Sequence, residues 1–529
     1  LSTEVKRNLI RITSNYARLI ATCLIGLAVV RLLLRTLGND AFAMITLLAS
    51  TVGFSAMIQE IVSDCMIREL GSAHHRRDPE HFKGVYNSAL LLSCLAAVVA
   101  LLVFVGLLFA LPWLEIPEAM VPAGRWLVAA RGTYIFFVVL LAPAFNMYVI
   151  SERMLEANFW NVVTRACDLT AVALLLWTPR ADVGQDIVRF GLWSSGAALA
   201  AQVTAVAIIM ASDRRLIPAL SNASWDHFKG LLGVGRWNLA VVTAGNLHLR
   251  LDAIIMNLAF GLFGNLIFGL AVQATSYVRM IATGMTAGVD AVAARLSTVG
   301  HKDSLNRLVH HSTRLHGLVT FPTAVGMVLL ADPFLHIWVG PRIEDPASSI
   351  PPTVAIIRVL CLGITVRAIA DGWVRILYGA GHIRRYAPVV LLGGLINPAL
   401  ATLLVWVLPQ GIRFLGPAYS YSLVLLVIHM GVLPAIAAGL LGLSVRDLFA
   451  PLVKPLGIAL LCAPILLAAQ QWVPRWNLFW LAGVAGAYSV VYVVLATAFV
   501  LEPHERRRLW DAAARRLGLI SHPHGSRSE

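Results

Sequence analysis

Long apolar runs alternate with short polar interruptions from one end of the chain to the other. Each run is about 20 residues, enough to cross a bilayer as a helix. Fourteen spans are predicted, at about 14–36, 41–63, 85–111, 126–150, 159–178, 188–211, 237–258, 266–290, 311–333, 353–378, 388–408, 416–440, 451–470 and 477–500. Two stretches of this pattern repeat. Ala110-Leu111-Pro112-Trp113-Leu114-Glu115-Ile116 returns 221 residues later as Ala331-Asp332-Pro333-Phe334-Leu335-His336-Ile337. Gly38-Asn39-Asp40-Ala41-Phe42 returns 226 residues later as Gly264-Asn265-Leu266-Ile267-Phe268. Two copies of a multi-helix unit in one membrane chain point to a transporter with its pathway between the copies. Six helices separate corresponding positions, so the copies run the same way through the membrane, about an axis along its normal.

The expected fold class is an all-α polytopic membrane protein of about 14 helices: two pseudo-symmetric six-helix lobes plus two C-terminal helices. The expected divisions are an N-terminal lobe over 1–211, a cytoplasmic amphipathic linker over 212–236, a C-terminal lobe over 237–440, helices 13 and 14 over 441–500, and a basic tail over 501–529. Within the linker, Trp225, Phe228 and Leu232 fall on one face, as in a helix lying on the membrane surface.

Composition agrees with this picture: 58% of residues are hydrophobic and 13% charged, against roughly 25% charged in an average soluble domain. The net charge of +14 comes from loops on one side, so it does not imply a nucleic-acid partner. Eight segments on that side hold 24 Lys and Arg, whereas the six opposite loops hold only Arg125, Arg180, Arg342, Arg413 and Arg475. Such asymmetry predicts cytoplasmic termini. The first apolar run is too long for a cleaved signal and is expected to be a retained span. The longest opposite loop, about 336–352, is too short for an external catalytic domain. No phosphate-cradling Gly-Lys loop marks an ATPase, and no catalytic triad spacing marks a hydrolase. Cys23, Cys65, Cys94, Cys167, Cys361 and Cys462 have no metal-like spacing and are expected to be small buried residues. The histidines at 74, 75, 81, 301, 310, 311 and 316 lie mostly in or beside basic loops and carry no metal expectation.

Ionisable groups within spans are costly in lipid and normally face a cavity or a partner. Arginine dominates here, and guanidinium forks suit phosphate oxygens. Arg250 in helix 7 and Arg279 in helix 8 lie too deep to snorkel. Thr243, Asn246, Arg250 and Asn257 form one polar stripe, and Arg279, Thr283, Thr286 and Asp290 another, so both are candidate cavity walls. Arg18 and Arg31 in helix 1 are candidates for contact with an anionic cargo at two stages of travel, and Arg31 shares a face with Arg35 near the outer end. Arg131 and Arg358 are weaker candidates. Arg367, Asp371 and Arg375 follow one another every fourth residue and suggest an internal ion-pair ladder. Asp252 points about 200° away from Arg250 around helix 7, on a stripe with His248. A buried carboxylate of this kind can hold a proton or Na+ and so couple transport to an ion; the alternative is a salt bridge to an interior arginine. Asp290 is the second coupling candidate. No organic cofactor or metal is expected.

The chain resembles the polysaccharide-transporter branch of the multidrug/oligosaccharidyl-lipid/polysaccharide exporter superfamily. The resemblance rests on Leu37-Gly38…Phe42, Arg68-Glu69-Leu70, Leu251-Asp252, Phe268-Gly269-Leu270-Ala271, Ala331 through Gly340, and Asn397-Pro398-Ala399-Leu400, in that order. It implies flipping of polyprenyl-pyrophosphate-linked oligosaccharide from the cytoplasmic to the outer leaflet of a bacterial-type inner membrane. Its implied partners are that lipid-linked oligosaccharide, membrane lipids, and a polysaccharide polymerase with glycosyltransferases. The basic loop from His74 to His81 and Arg250 beside Asp252 depart from the usual pattern. Alternatives are a multidrug exporter of the same superfamily, a membrane glycosyltransferase or polymerase, and a non-transporting scaffold.

Overall fold

A computed structural model describes residues 3–75, 78–179, 182–219, 223–284, 289–298, 302–503 and 505–507. Arg180, Thr286, His301 and the tail from residue 508 onward lie outside the described residues, as do the side chains of Arg68, His75 and Thr283. The described residues are helical almost throughout, and the chain is a multi-pass membrane protein. Twelve helices are long and apolar enough to cross a membrane. Two of the twelve are helix pairs joined at a corner, which gives fourteen candidate spanning segments among the described residues.

The first corner is Gly38, with φ 83° and ψ −177°, inside Thr3–His75. The second is Gly261, with φ 61° and ψ −155°, inside Trp225–Thr283. Only glycine adopts these angles at little cost. A straight helix of 73 residues would be about 110 Å long, more than three times the hydrocarbon thickness, so the chain must turn back. The sequence repeat pairs Gly38 with Gly264, but the second corner falls three residues earlier. Gly264 has a packing role instead: a Cβ there would sit 2.5 Å from the Met256 carbonyl oxygen.

The helices are therefore α1 (3–37), α2 (39–75), α3 (Pro79–Ala110), α4 (Val121–Ile150), α5 (Met154–Trp177), α6 (Val183–Ser212), α7 (225–260), α8 (262–283), α9 (Lys302–Trp338), α10 (Pro346–Gly379), α11 (Ile383–Val407), α12 (416–441), α13 (Val445–Trp472) and α14 (Leu478–Phe499). A short helix, Val289–Thr298, follows α8. In the first lobe α4 packs on α3 and α6, and α5 on α6. In the second, α10 packs on α9, and α11 lies against α12 and the α7–α8 pair. The lobes meet where α1 and α2 face α7 and α8. α13 lies on α9, and α14 flanks both.

The linker differs from the sequence expectation. Its residues from Trp225 onward are the first turns of α7 rather than a separate surface helix. Phe228 is buried, while Trp225 and Leu232 stay exposed. The linker is strapped to the first lobe. Asn87 Oδ1 accepts from the Ala219 amide at 2.8 Å, and Ser88 Oγ accepts from the Ser224 amide at 3.0 Å. The helix that opens the second lobe thus begins on the first.

Candidate functional site

α2, α7, α8 and α10 converge around a cavity of about 890 Å³ between the lobes, a volume in the range of small-molecule sites. Its mouth lies at the end of the bundle carrying the α10–α11 turn, where Tyr378, Gly379, Gly381 and Tyr386 line it. Arg250, Arg279, Arg367 and Arg375 line it as well, together with Glu60, Asp64, Asp290 and Asp371. All four arginines come from the second lobe, and the first lobe supplies Glu60 and Asp64.

Helical spacing explains the arrangement. Asn246 and Arg250 are one turn apart, and Arg250 Nε donates to Asn246 Oδ1 at 2.6 Å. That bond holds the guanidinium against α2, where it fits only because residue 53 is glycine. A Cβ on Gly53 would lie 1.2 Å from Arg250 Nη1. Arg367 has an equivalent seat on α7. Its Nη1 donates to the Gly245 carbonyl at 3.5 Å, and a Cβ on Gly245 would stand 2.8 Å from Nη2. Nearer the mouth, Asn238 Nδ2 donates to Asp64 Oδ2 at 2.8 Å. Glu60 lies within electrostatic range of Arg250, Arg279 and Arg367 together.

The structure brings Arg250, Arg279, Asn246 and Asp290 into one cavity. The first polar stripe is only partly cavity wall, since Thr243 and Asn257 do not line it, while Arg279 and Asp290 of the second both do. Asn257 is fully buried, donates to the Leu114 carbonyl, and accepts from Asn265 Nδ2 at 2.8 Å. Arg18 is half-buried and Arg31 exposed, both away from the cavity lining. Arg131 pairs with Asp168 at 2.6 Å, and Arg358 reaches the Val328 carbonyl at 3.4 Å. The expected ladder in α10 is absent: among the described residues, Asp371 forms no ion pair within 4 Å with Arg367 or Arg375. All three side chains turn into the cavity instead. The interior is accordingly more balanced in charge than an arginine count implies. Gly53 and Gly245 were not legible as site residues, because a lone glycine in an apolar helix has no distinctive pattern.

Asp252 belongs to a second polar cluster inside the second lobe. It is fully buried, and its Oδ1 accepts from Asn397 Nδ2 of α11 at 3.0 Å. Ser420 of α12 donates to the Asn397 carbonyl at 2.7 Å and lies 3.0 Å from Asn397 Oδ1. Among the described residues, Asp252 Oδ2, His248 Nδ1 and His429 Nδ1 are buried with no hydrogen-bond partner, and the buried Tyr421 hydroxyl lies beside Arg367. The His248 and Tyr421 rings meet edge to face at 5.6 Å. His429 lies on a π-helical turn, Leu426–Val432, that interrupts α12, an irregularity frequent at functional sites. The alternative salt bridge from Asp252 to an arginine is not formed among the described residues. Asp290 stands apart from this cluster, on the cavity.

Comparison with known proteins puts this geometry in context. A family model described as "Polysaccharide biosynthesis protein" matches residues 181–345. The membrane protein EpsK of Bacillus subtilis (strain 168) is 23% identical over 451 residues, 84% of this chain and 82% of EpsK. The lipid II flippase MurJ, in an inward closed conformation, superposes with a TM-score of 0.67 at 13% identity, covering 92% of this chain and 98% of MurJ. The fold is that of the multidrug/oligosaccharidyl-lipid/polysaccharide exporter superfamily. A multidrug resistance MATE family transporter of that superfamily, inward-facing, superposes at 0.64 with 14% identity, covering 81% of this chain and 98% of its own. The description of the family model agrees with the polysaccharide branch that the motif order from Leu37 to Leu400 implies.

Proposed function

We propose that this chain is a flippase for polyprenyl-pyrophosphate-linked oligosaccharide, carrying the headgroup from the cytoplasmic to the outer leaflet by alternating access of its two lobes. The observation that carries the proposal is the inter-lobe cavity with Arg250, Arg279 and Arg367 gathered in it. A diphosphate needs several donors at once, and three guanidinium groups from three helices supply them. Glu60 from the opposite lobe is the counter-charge in the empty cavity, and cargo phosphate takes its place among the arginines. The sugar occupies the cavity while the polyprenyl tail stays in lipid. The membrane is the bacterial-type inner membrane, with both termini cytoplasmic as the loop charge implies, so the cavity mouth faces the cytoplasm. Polysaccharide polymerase and glycosyltransferases of the same assembly are its working partners.

Coupling to H+ or Na+ is assigned to Asp252. A fully buried carboxylate with one free oxygen, beside Asn397 and Ser420, binds a proton or a small cation at low cost. α7 carries Asp252 on one face and Arg250 on the other, so a change at one site is passed to the other by rotation or bending of a single helix. A second reading, export of organic cations, draws on Glu60, Asp64, Asp290 and Asp371 in the same cavity.

The deciding experiment measures translocation of a fluorescent polyprenyl-pyrophosphate oligosaccharide in proteoliposomes. The Arg250→Ala/Arg279→Ala double variant is expected to lose at least about 100-fold in rate, since each charge-assisted contact is worth roughly 1.5–3 kcal/mol. Transport of organic cations with no flipping of the lipid would transfer the assignment to the exporter reading.

A further inference from the structure

The motif that recurs 221 residues apart has no part in the cavity. Its two copies occupy equivalent places: the first follows the end of α3, and the second ends α9, the third helix of the other half. Both lie at the end of the bundle away from the cavity mouth. A residue in the first copy and one just after the second each make a hydrogen bond to the first helix of the opposite half, at positions that the repeat does not match, since Leu114 corresponds to Leu335 and Trp338 to Pro117. Leu114, in the first copy, offers its carbonyl to Asn257 of α7. Trp338, directly after the second copy, donates its indole N–H to the Leu27 carbonyl of α1 at 2.9 Å. Trp338 is 6% and Asn257 0% exposed, so both bonds are shielded from competition by water. A third contact lies beside them: a Cβ on Gly38, at the α1–α2 corner, would stand 3.3 Å from Glu344 Oε1, a few residues beyond the second motif.

We infer that the twin motifs are the outer clasp of the carrier. Each lobe hooks the leading helix of the other, and both hooks must release before the cavity opens to the outside. The inference rests on the alternating-access reading above. With two hooks, neither lobe can swing out while the other bond holds. The Leu27 carbonyl is also the acceptor that an unbroken α1 would present to the Arg31 amide one turn later. Trp338 thus grips α1 at a backbone group rather than at a side chain, and substitution at Leu27 alone leaves that bond in place.

The test reads the separation of the lobes directly and needs no cargo. Spin labels on Ala119→Cys and Ala347→Cys, exposed positions of the two lobes at this end, report it by pulsed dipolar spectroscopy in a background without native cysteines. The parent protein should show predominantly the short distance. Trp338→Phe keeps the ring and removes the donor, and it should raise the ratio of long-distance to short-distance populations about five- to tenfold, the equivalent of one net hydrogen bond. Asn257→Leu should do the same, and the double variant should multiply the two effects. Trp373→Phe is the control. It removes an indole bond of the same length, 2.9 Å to Thr313 Oγ1, formed within one lobe, and should leave the distances unchanged. Equal shifts in Trp338→Phe and Trp373→Phe, or none in Trp338→Phe and Asn257→Leu, would overturn the clasp. A clasp that loosens as described in a protein that flips no lipid would leave this inference standing and remove the flippase reading.

Discussion

The two lobes share a layout but not a chemistry. In the first, the best-defined charged pair between spans is matched, Arg131 to Asp168 at 2.6 Å. In the second, Arg250, Arg279 and Arg367 are held beside an open cavity, and Asp252 keeps an oxygen without a partner. The first lobe's main contributions to the site are carboxylates at positions 60 and 64 and a glycine at position 53 that makes room. A repeated architecture therefore does not require a repeated site. Layout is maintained by apolar packing and by corner glycines, which tolerate divergence at polar positions.

This contrast can be attacked where it is sharpest. The largest effect is the collapse of transport expected on removing Arg250 and Arg279. Next is Gly53→Ala, a one-carbon change in the first lobe. The added methyl overlaps Arg250 Nη1, the far end of a flexible side chain, so the guanidinium swings off its seat with little loss of stability, and the misplaced donor should lower the transport rate about tenfold, with the protein still monodisperse. Wild-type rates for Gly53→Ala would mean that Arg250 works without its seat on α2. Third, Asp252→Asn keeps the shape of the second cluster but removes its charge. The ratio of transport with and without an imposed ion gradient should fall toward one while cargo affinity holds; an unchanged ratio would move coupling elsewhere. The smallest effect belongs to the first lobe. Replacing its ion pair by apolar groups, Arg131→Met with Asp168→Leu, should alter transport by no more than about twofold, because a partly exposed pair contributes at most about 1 kcal/mol. A loss comparable to that from the second-lobe arginines would break the comparison between the lobes.

Much of the fold was legible in the chain. Apolar runs must become helices in lipid, since an unpaired backbone amide there costs too much, and each run therefore maps onto one of α1–α14. The repeat was equally plain, and the break between the first two spans contains Gly38, where the chain turns. The break between the spans at 258 and 266 was legible, but which glycine in it turns the chain was not: Gly261 does, while the repeat had marked Gly264. Depth in a span and helical spacing were enough to single out Arg250, Arg279 and Asn246, and to separate the face of Asp252 from that of Arg250.

Other features depended on which helices become neighbours. Asn257 shares a stripe with Arg250, yet the loop after α3 passes beside it and takes its hydrogen bond. Arg367, Asp371 and Arg375 have the spacing of a ladder, but the open space beside α10 draws all three outward into the cavity. Arg18 and Arg31 lie on a helix whose packing against α8 turns them from the lining. A sequence determines which side chains share a helix face, because that follows from 3.6 residues per turn. It does not say what stands opposite that face. The partner lies more than a hundred residues away for Leu114 and Asn257, for Asn397 and Asp252, and for Trp338 and Leu27, and only packing of the lobes brings each pair together.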